Sequence, residues 1–461
     1  MTATHLVWFR NDLRTHDNAA LSHACSLAQN GDRVLAVFLW TPEQWDQHDY
    51  GTPRRFAWVD ALKTLEHRLA ALGIEFSLLE SSDWQHGVDD LMALAKAVNA
   101  RSLSLHREFG WDEVQRDQYA LACAQNAGID RHVFEDRVTW DPSQILTGQG
   151  EMYRVVTPYK KAWLRQLADV SLSTPLPEPK AIGPAIQTRV HYPKVQSLAQ
   201  VELPLNETAA LIQLDRFIDL TVTDYQTQRD FPSVDGTSKL SAALANGAVS
   251  LRQCFSAVLQ HPKRDHPGLQ TWLSELIWRE FYHYLLYWRP ELAKHQPFYS
   301  RWDAFPWRND KARLDAWQNG QTGVPIVDAG MRQLAHTGWM HNRVRMIVAM
   351  YLVKILQVDW RLGERWFARS LLDIDFASNN GGWQWCAATG VDAAPYFRIF
   401  NPVTQSQRFD PEGNYIRRWL PELSALDNRQ IHSPDAVPGY SKPLIDYQQA
   451  RAETLALFKA L

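Results

Sequence analysis

Long apolar runs, paired cysteines and an excess of charge of one sign are all missing from this 461-residue chain. A helix needs roughly eighteen or more consecutive apolar residues to cross a bilayer, and no stretch approaches that, so no membrane span is expected. The opening Met-Thr-Ala-Thr-His-Leu-Val-Trp-Phe-Arg has too short an apolar run for a signal peptide. The expected location is cytoplasmic, on the nucleoid in a prokaryote. Cys25, Cys123, Cys254 and Cys386 lie far apart with no CxxC pair, which argues for reduced, mostly buried thiols and against a zinc site. No metal site is expected. Lysine and arginine total 48 against 51 acidic residues, a net charge of −3. Global attraction to nucleic acid is thereby excluded, and any DNA binding must use a local basic surface. A glycine-rich GxGxxG is also absent after the first strand-like run; Arg10-Asn-Asp-Leu-Arg-Thr-His-Asp-Asn18 stands there instead. That argues against a dinucleotide-binding dehydrogenase.

What is present divides along the chain. Hydrophobic residues make up 45% and charged residues 21%, an ordinary globular composition, and the length calls for two or three domains. Strand-like runs at 5–9, 33–40, 75–79 and 102–106 alternate with helix-like 18–30, 55–72 and 88–99. This rhythm predicts an α/β N-terminal domain, a Rossmann-like, doubly wound parallel sheet with helices on both faces. Residues 171–195 are proline-rich and aperiodic (LSTPLPEPKAIGPAIQ) and read as a surface linker. Beyond about 203, apolar spacings of three and four at 269–288, 327–337, 341–358 and 363–372 predict an all-α C-terminal domain. The expected domains are 1–135 (α/β), 136–202 (interdomain linker) and 203–461 (helical).

Chemistry concentrates in the helical part. Eleven of the 20 tryptophans fall between Trp272 and Trp385. In 373–385, two carboxylates (Asp373, Asp375) precede Asn379, and Asn379 and Trp383 share a helical face. Gly381 and Gly382 remove Cβ atoms there and would let a flat ring approach the backbone. Carboxylates, an amide and indoles suit a planar, charged, polar-edged redox cofactor, a flavin. Glu275, Trp278 and Arg279 form one face at i, i+3 and i+4, suited to stacking a base and meeting its polar edge. Asn342, Arg345 and Met346 form a second such face, whose amide can read a base edge and whose arginine can neutralise a phosphate. Gly236-Thr-Ser-Lys-Leu-Ser241 lacks the Walker A spacing but supplies hydroxyls and a lysine before a helix, a weak phosphate cradle.

Taken together, RNDLRTHDNAAL, DFPSVDGTSKLS, ELIWREFY, GWMHNRVRM and NNGGWQW resemble, in order and interval, the DNA photolyase/cryptochrome family along essentially the whole chain. The resemblance implies FAD held by the helical domain, with Tyr225, Thr237, Ser238, Lys239, Leu240 and Ser241 at its pyrophosphate and ribityl portion. Trp272 and Glu275 would flank the pocket, with Arg279 near the phosphates. Asp373 and Asp375 would contact the flavin and adenine-ribose region, and Asn379 would face flavin N5. It implies light-driven electron transfer from reduced FAD to a cyclobutane pyrimidine dimer in double-stranded DNA. Extrusion of the lesion is a general property of such enzymes. Trp278 and Trp385 would sandwich the dimer, Asn342 and Met346 approach its pyrimidines, and Glu275 meet its edge. Arg229, Arg343 and Gln405 would engage the damaged strand. Trp383, Trp360 and Trp307 occupy the family's electron-transfer positions.

The resemblance also implies an antenna chromophore, 5,10-methenyltetrahydrofolate, at His48, Asp112, Glu113 and Lys294. Asp112 stands where asparagine is common, and a deazaflavin or no antenna is the alternative. Enzymes for the 6-4 photoproduct carry histidines where this chain has Asn342 and Met346. DASH-type members commonly carry glutamine at the Met346 position and tyrosine at the Trp278 position. Plant-type photoreceptors carry aspartate where Asn379 stands. Repair of pyrimidine dimers by a monomer is the expectation; a blue-light photoreceptor without repair activity is the alternative. A flavoprotein transferring electrons in the dark would leave the Glu275, Trp278, Asn342 and Met346 group without purpose.

Overall fold

A computed structural model describes residues 3–28, 31–169, 174–187 and 189–460. These form two compact units, neither continuous in sequence. One comprises 1–197, 203–223 and 238–293; the other comprises 198–202, 224–237 and 294–461.

The first unit is built on a five-stranded parallel sheet in the order β3-β2-β1-β4-β5. The strands are β1 (Thr4–Phe9), β2 (Arg33–Trp40), β3 (Glu75–Glu80), β4 (Ala100–His106) and β5 (Asp130–Phe134). Side chains alternate across a strand, and here both faces are apolar. Val7, Phe9, Ala36 and Phe38 enter one core with Trp58, Leu62 and Leu65 of the Thr52–Ala71 helix. Leu6, Trp8, Val37 and Leu105 enter the other with Val88 and Leu91 of the Trp84–Ala97 helix. That two-sided burial is what turns continuous apolar runs into a doubly wound sheet. β5 was not anticipated. Its sequence, Asp-Arg-His-Val-Phe, belongs to an edge strand with no fully buried residue, so it carries no apolar run to read.

Residues 174–187 and 189–197 have neither helix nor strand. Ile182 N–H donates to Leu72 O and Ile186 N–H to Ala70 O, while the Tyr192 hydroxyl donates to Glu66, so this stretch runs along the Thr52–Ala71 helix. Residues 171–173 and 188 of the proline-rich segment lie outside the described residues. A helix absent from the sequence reading, Val156–Asp169, precedes it. Helices Glu207–Leu220, Ser241–Asn246, Leu251–Gln260 and Pro267–Trp288 complete the unit.

The Arg10–Asn18 segment explains itself in this unit. The last carbonyls of the six-residue Ser241–Asn246 helix meet a set of donors. Arg14 donates to Gly247 O at 3.0 Å, Arg54 to Ala245 O at 3.0 Å and Arg137 to Ala245 O at 3.3 Å. Arg279 donates to Leu244 O at 3.2 Å, and Leu13 N–H to Asn246 O at 3.2 Å. Cationic donors at a helix C-terminus satisfy its orphan carbonyls and complement its dipole. Arg14 is fully buried and paired with Asp136. Burial opposes ionisation of Asp136 and is the largest single influence, but the Arg14 charge and hydrogen bond together with the His106 and Arg137 charges outweigh it and hold the carboxyl down to about 2.

The second unit contains no strand among its described residues. Its principal helices are Pro325–Thr337, Asn342–Lys354, Trp360–Ser370, Phe376–Ala387, Pro402–Phe409 and Tyr447–Lys459. The helix expected at 341–358 stops at Lys354, and Gln357 has φ +58°. The helix expected at 363–372 starts earlier, at Trp360, because Asp359 caps it by accepting from Arg361 N–H.

Two expectations follow for stability. Gly247 has φ +74°, and a Cβ there would collide with the backbone of Asn11 and Asp12. Gly128 has φ +70° with nothing within 4 Å. Gly128→Ala should therefore cost about 1 kcal/mol, the left-handed penalty alone. Gly247→Ala should cost about 3 kcal/mol or more; urea denaturation giving equal losses would overturn the assignment. Arg14→Met should lose about 3–5 kcal/mol in the same measurement, because Asp136 would stay buried without its partner, whereas the double change Arg14→Met with Asp136→Leu should recover most of it.

Candidate functional site

In the first unit, the stretch before the Ser241–Asn246 helix is held from both sides. Lys239 adopts φ +54°, Leu240 N–H points to Ser238 Oγ at 3.5 Å, and Gln213 donates to Ser238 O at 3.1 Å. Leu240 is buried. The Ser241 hydroxyl is buried without a hydrogen-bond partner. A buried hydroxyl in that state is uncommon and calls for a ligand.

The Pro267–Trp288 helix carries Trp272, Glu275, Trp278 and Arg279. Trp272 is buried against Phe217, ring centroids 5.0 Å apart. Trp278 is half-buried and leans on Phe281 at 5.9 Å and Tyr282 at 5.7 Å. Arg279 has part of its guanidinium committed to Leu244 O, so it also anchors the helix that Ser241 begins.

His48 and Asp112 meet at 3.0 Å. Asp112 and Glu113 occupy the first turn of the Trp111–Asn126 helix. Desolvation, reinforced by the Glu108 charge, pushes the Glu113 carboxyl up to about 7. Lys294 is exposed at the end of the single turn Pro290–Lys294 and belongs to the second unit.

In the second unit, Tyr225 is buried beneath the Arg229 guanidinium at 5.3 Å, and Thr237 is half-buried. Asn342 is exposed and Met346 half-buried one turn on, with Asn342 Nδ2 3.9 Å from Met346 Sδ. Arg343 lies between Asp230, at 2.8 Å, and the Phe409 ring, at 4.3 Å. His341 caps their helix by accepting from Arg343 N–H, and burial lowers its imidazole to about 4, so it stays neutral. Gln405 is half-buried on Pro402–Phe409, its Oε1 unpartnered.

Arg345 has a different role from the phosphate neutraliser its spacing suggested. It donates to Met340 O at 2.8 Å and to Asp373 at 2.7 Å. Spacing gave the face but not the partner: the residue in reach is a carboxylate of the next motif. Asp373 Oδ1 remains buried and unpartnered.

Asp375 caps the Phe376–Ala387 helix by accepting from Ser378 N–H at 2.9 Å. Asn379 and Trp383 do lie on this helix four residues apart. Asn379 donates its Nδ2 to Glu364 O at 3.0 Å. Trp383 is buried between Phe367 at 5.0 Å and Trp317 at 6.1 Å. It fits only because residue 363 is glycine, since a Cβ there would strike the indole. Trp385 is half-buried. Trp360 is buried, and Trp307, half-buried, packs on Phe305 at 4.2 Å. No ring contact joins two of Trp383, Trp360 and Trp307 directly among the described residues.

Sequence reasoning missed Glu364, Asn380, Gln384 and Asp230. Asn380 donates to Glu364 at 2.8 Å and accepts from Gln384 at 2.8 Å. The i, i+4 pairing of Asn380 with Gln384 was the one legible signal.

The unpartnered groups test whether FAD fits. Ser241 Oγ and Asp373 Oδ1 are both orphaned and buried, and both occur at positions the motifs assign to the cofactor. Within the first unit the Ser241 hydroxyl, able to donate or accept, suits a phosphate- or hydroxyl-bearing ligand, and within the second the Asp373 oxygen suits a ligand hydroxyl or N–H, groups that FAD carries. The fit is good.

Comparisons with known proteins agree. Residues 5–180 match the family model for DNA photolyase, and residues 272–460 match that for the FAD binding domain of DNA photolyase. Over 99% of its length the chain is 43% identical to the deoxyribodipyrimidine photo-lyase of Escherichia coli, covering 98% of that protein. It is 42% identical over 98% of its length to the enzyme of the same name from Vibrio cholerae, covering 99% of it. A class III photolyase from Agrobacterium tumefaciens superposes with a TM-score of 0.87 at 33% identity, covering 100% of this chain and 98% of that one. A Synechocystis cryptochrome superposes equally well, TM-score 0.87, at 28% identity and 99% of both chains. With an FAD-binding helical region joined to an α/β sheet and full-length relatives at these identities, this chain belongs to the DNA photolyase family.

Proposed function

We propose that the protein is a light-driven DNA repair enzyme, a deoxyribodipyrimidine photo-lyase that splits cyclobutane pyrimidine dimers in double-stranded DNA, acting as a monomer on the nucleoid. The observation that carries this reading is the end-to-end identity to relatives of that name. Residues 203–461 hold FAD and the DNA, 1–135 serve the antenna, and 136–202 link them. When bound and reduced, FAD would supply the light-driven one-electron chemistry that opening the dimer requires.

The chain's own residues prepare that event. Ser241 and Asp373 offer the cofactor the two orphaned atoms, with Tyr225, Thr237, Ser238, Lys239, Leu240 and Arg279 around its phosphates and Trp272, Glu275 and Asp375 beside it. Asn379 has its Nδ2 committed to Glu364 O, which leaves Oδ1 as the atom it would offer to flavin N5. An amide oxygen accepts from a protonated N5 and cannot itself supply a proton. Trp278 and Trp385 stack the extruded dimer, and stacking on an indole is worth about 1–3 kcal/mol per base. Asn342 and Met346 meet its pyrimidines, Glu275 its edge, and Arg229, Arg343 and Gln405 its backbone.

Trp383, Trp360 and Trp307 supply electrons when the flavin is oxidised. The buried positions of the first two and the half-buried third support an inside-to-outside order. His48, Asp112, Glu113 and Lys294 receive 5,10-methenyltetrahydrofolate. The proximity of His48 to Asp112 supports a polar recess there.

Reduced protein under blue light should restore thymines in UV-damaged duplex DNA and do nothing in the dark. A flavin that photoreduces while the dimers persist would establish the photoreceptor alternative. Trp278→Ala should weaken binding of dimer-containing DNA by about ten-fold or more with FAD retained; loss of FAD, or unchanged affinity, would remove Trp278 from the cavity. Trp383→Phe should slow bleaching of oxidised FAD under blue light with a thiol reductant by at least about ten-fold, read from the flavin absorbance, while FAD content and repair by chemically pre-reduced protein stay the same.

A further inference from the structure

Arg343 is assigned above to the damaged strand's backbone, and the present inference rests on that reading. Yet its guanidinium is engaged: Nη2 lies 2.8 Å and Nε 3.3 Å from the same oxygen of Asp230. Beneath it the Phe409 ring sits 4.3 Å away, four residues after Gln405 on the Pro402–Phe409 helix. Its main-chain N–H is held by His341. The pair is partly buried, the side chains 18% and 35% exposed. His341, its imidazole lowered to about 4 by burial and so neutral near pH 7, adds no charge that could compensate Asp230.

Two properties follow. An arginine stacked on an aromatic ring keeps its orientation when its anionic partner is exchanged. And Asp230 presents to Nη2 and Nε what a phosphate would present, an oxygen anion at hydrogen-bond distance. The low exposure of Arg343 decides when exchange can occur. A regular duplex running over the surface leaves Arg343 with its carboxylate. A backbone drawn inward at an extruded lesion can displace it.

We propose that Asp230 is a specificity-determining residue that withholds Arg343 from undamaged DNA and yields it to the phosphate backbone at a lesion. Neutralising Asp230 frees Arg343 for any phosphate in reach. Affinity for undamaged duplex then rises, affinity for damaged duplex rises less, and discrimination falls.

The test uses the FAD-loaded full chain in the dark. Duplexes with and without one thymine dimer are titrated by fluorescence anisotropy across a range of salt. Asp230→Asn should tighten binding to undamaged duplex by about five-fold and steepen its salt dependence by about one released counterion. The damaged-to-undamaged affinity ratio should fall about three-fold or more. Asp230→Glu should restore the wild-type ratio. Arg343→Gln should weaken damaged-duplex binding and flatten its salt slope by about one, and Asp230→Asn added to it should change nothing further. Unchanged affinity and slope on undamaged duplex in Asp230→Asn would overturn the proposal. So would a loss of damaged-duplex affinity like that of Arg343→Gln, which would make Asp230 a support for Arg343 and not a restraint. Wild-type protein that does not discriminate the dimer at all would instead overturn the functional reading on which the proposal rests.

Discussion

The placing of the unpartnered Ser241 hydroxyl in the first unit depends on the arginines gathered at the C-terminal end of the six-residue helix it begins. A helix as short as Ser241–Asn246 has almost no stability of its own, since nucleation consumes most of what so few hydrogen bonds return. Its carbonyls are instead taken by Arg14, Arg54, Arg137 and Arg279. Burying guanidinium is tolerable only with full compensation. Asp136 answers Arg14, Glu108 answers Arg137, and Asn11 accepts from Arg54. Lysine could not replace Arg14 or Arg137, because in each one planar fork serves a carbonyl and a carboxylate together. The RNDLRTHDN segment thus helps to fix the helix whose first residue, Ser241, carries a hydroxyl without a partner.

The second unit holds its helices with side-chain amides gathered around one carboxylate. Glu364 accepts from Asn380, and its Oε2 lies 3.1 Å from the His295 imidazole. Gln384 joins Asn380 to the chain at Phe298, whose N–H it accepts at 2.8 Å. These contacts set the rotation of the Phe376–Ala387 helix about its axis. Trp383 therefore meets the gap over Gly363, and the Asn379 amide reaches Glu364 O. With every member of such a network satisfied, it rigidifies and does not weaken the core.

What was legible in the sequence follows from this division. Local periodicity gave β1 to β4, the long helices and the shared face of Asn379 and Trp383, because these are set by residues a few positions apart. The charged edge strand β5 and the Val156–Asp169 helix left too little apolar pattern. The residues of the site came from motifs, but their partners did not. Arg345 finds Asp373 across 28 positions, Arg343 finds Asp230 across 113, and Arg14 finds Gly247 across 233. Such pairings are properties of the packed chain, and no spacing rule on one segment contains them.

They also explain how a chain of net charge −3 can meet DNA. Counting arginines overstates the cation available, because many are consumed internally: Arg14, Arg54 and Arg137 hold carbonyls, and Arg345 holds Asp373. Those nearest the Asn342 turn are stacked on rings, Arg229 on Tyr225, Arg343 and Arg408 on Phe409. Stacking fixes direction without neutralising charge. A surface of few, oriented cations binds a uniform polyanion weakly, since counterion release scales with the number of phosphates met. On the proposed reading, the affinity it lacks would come from the base itself, through the indoles of Trp278 and Trp385, the Asn342 amide and the Met346 thioether. Weak general attraction and strong local contact would then be one design, and a net charge that offers no global attraction to nucleic acid is compatible with binding at a damaged site.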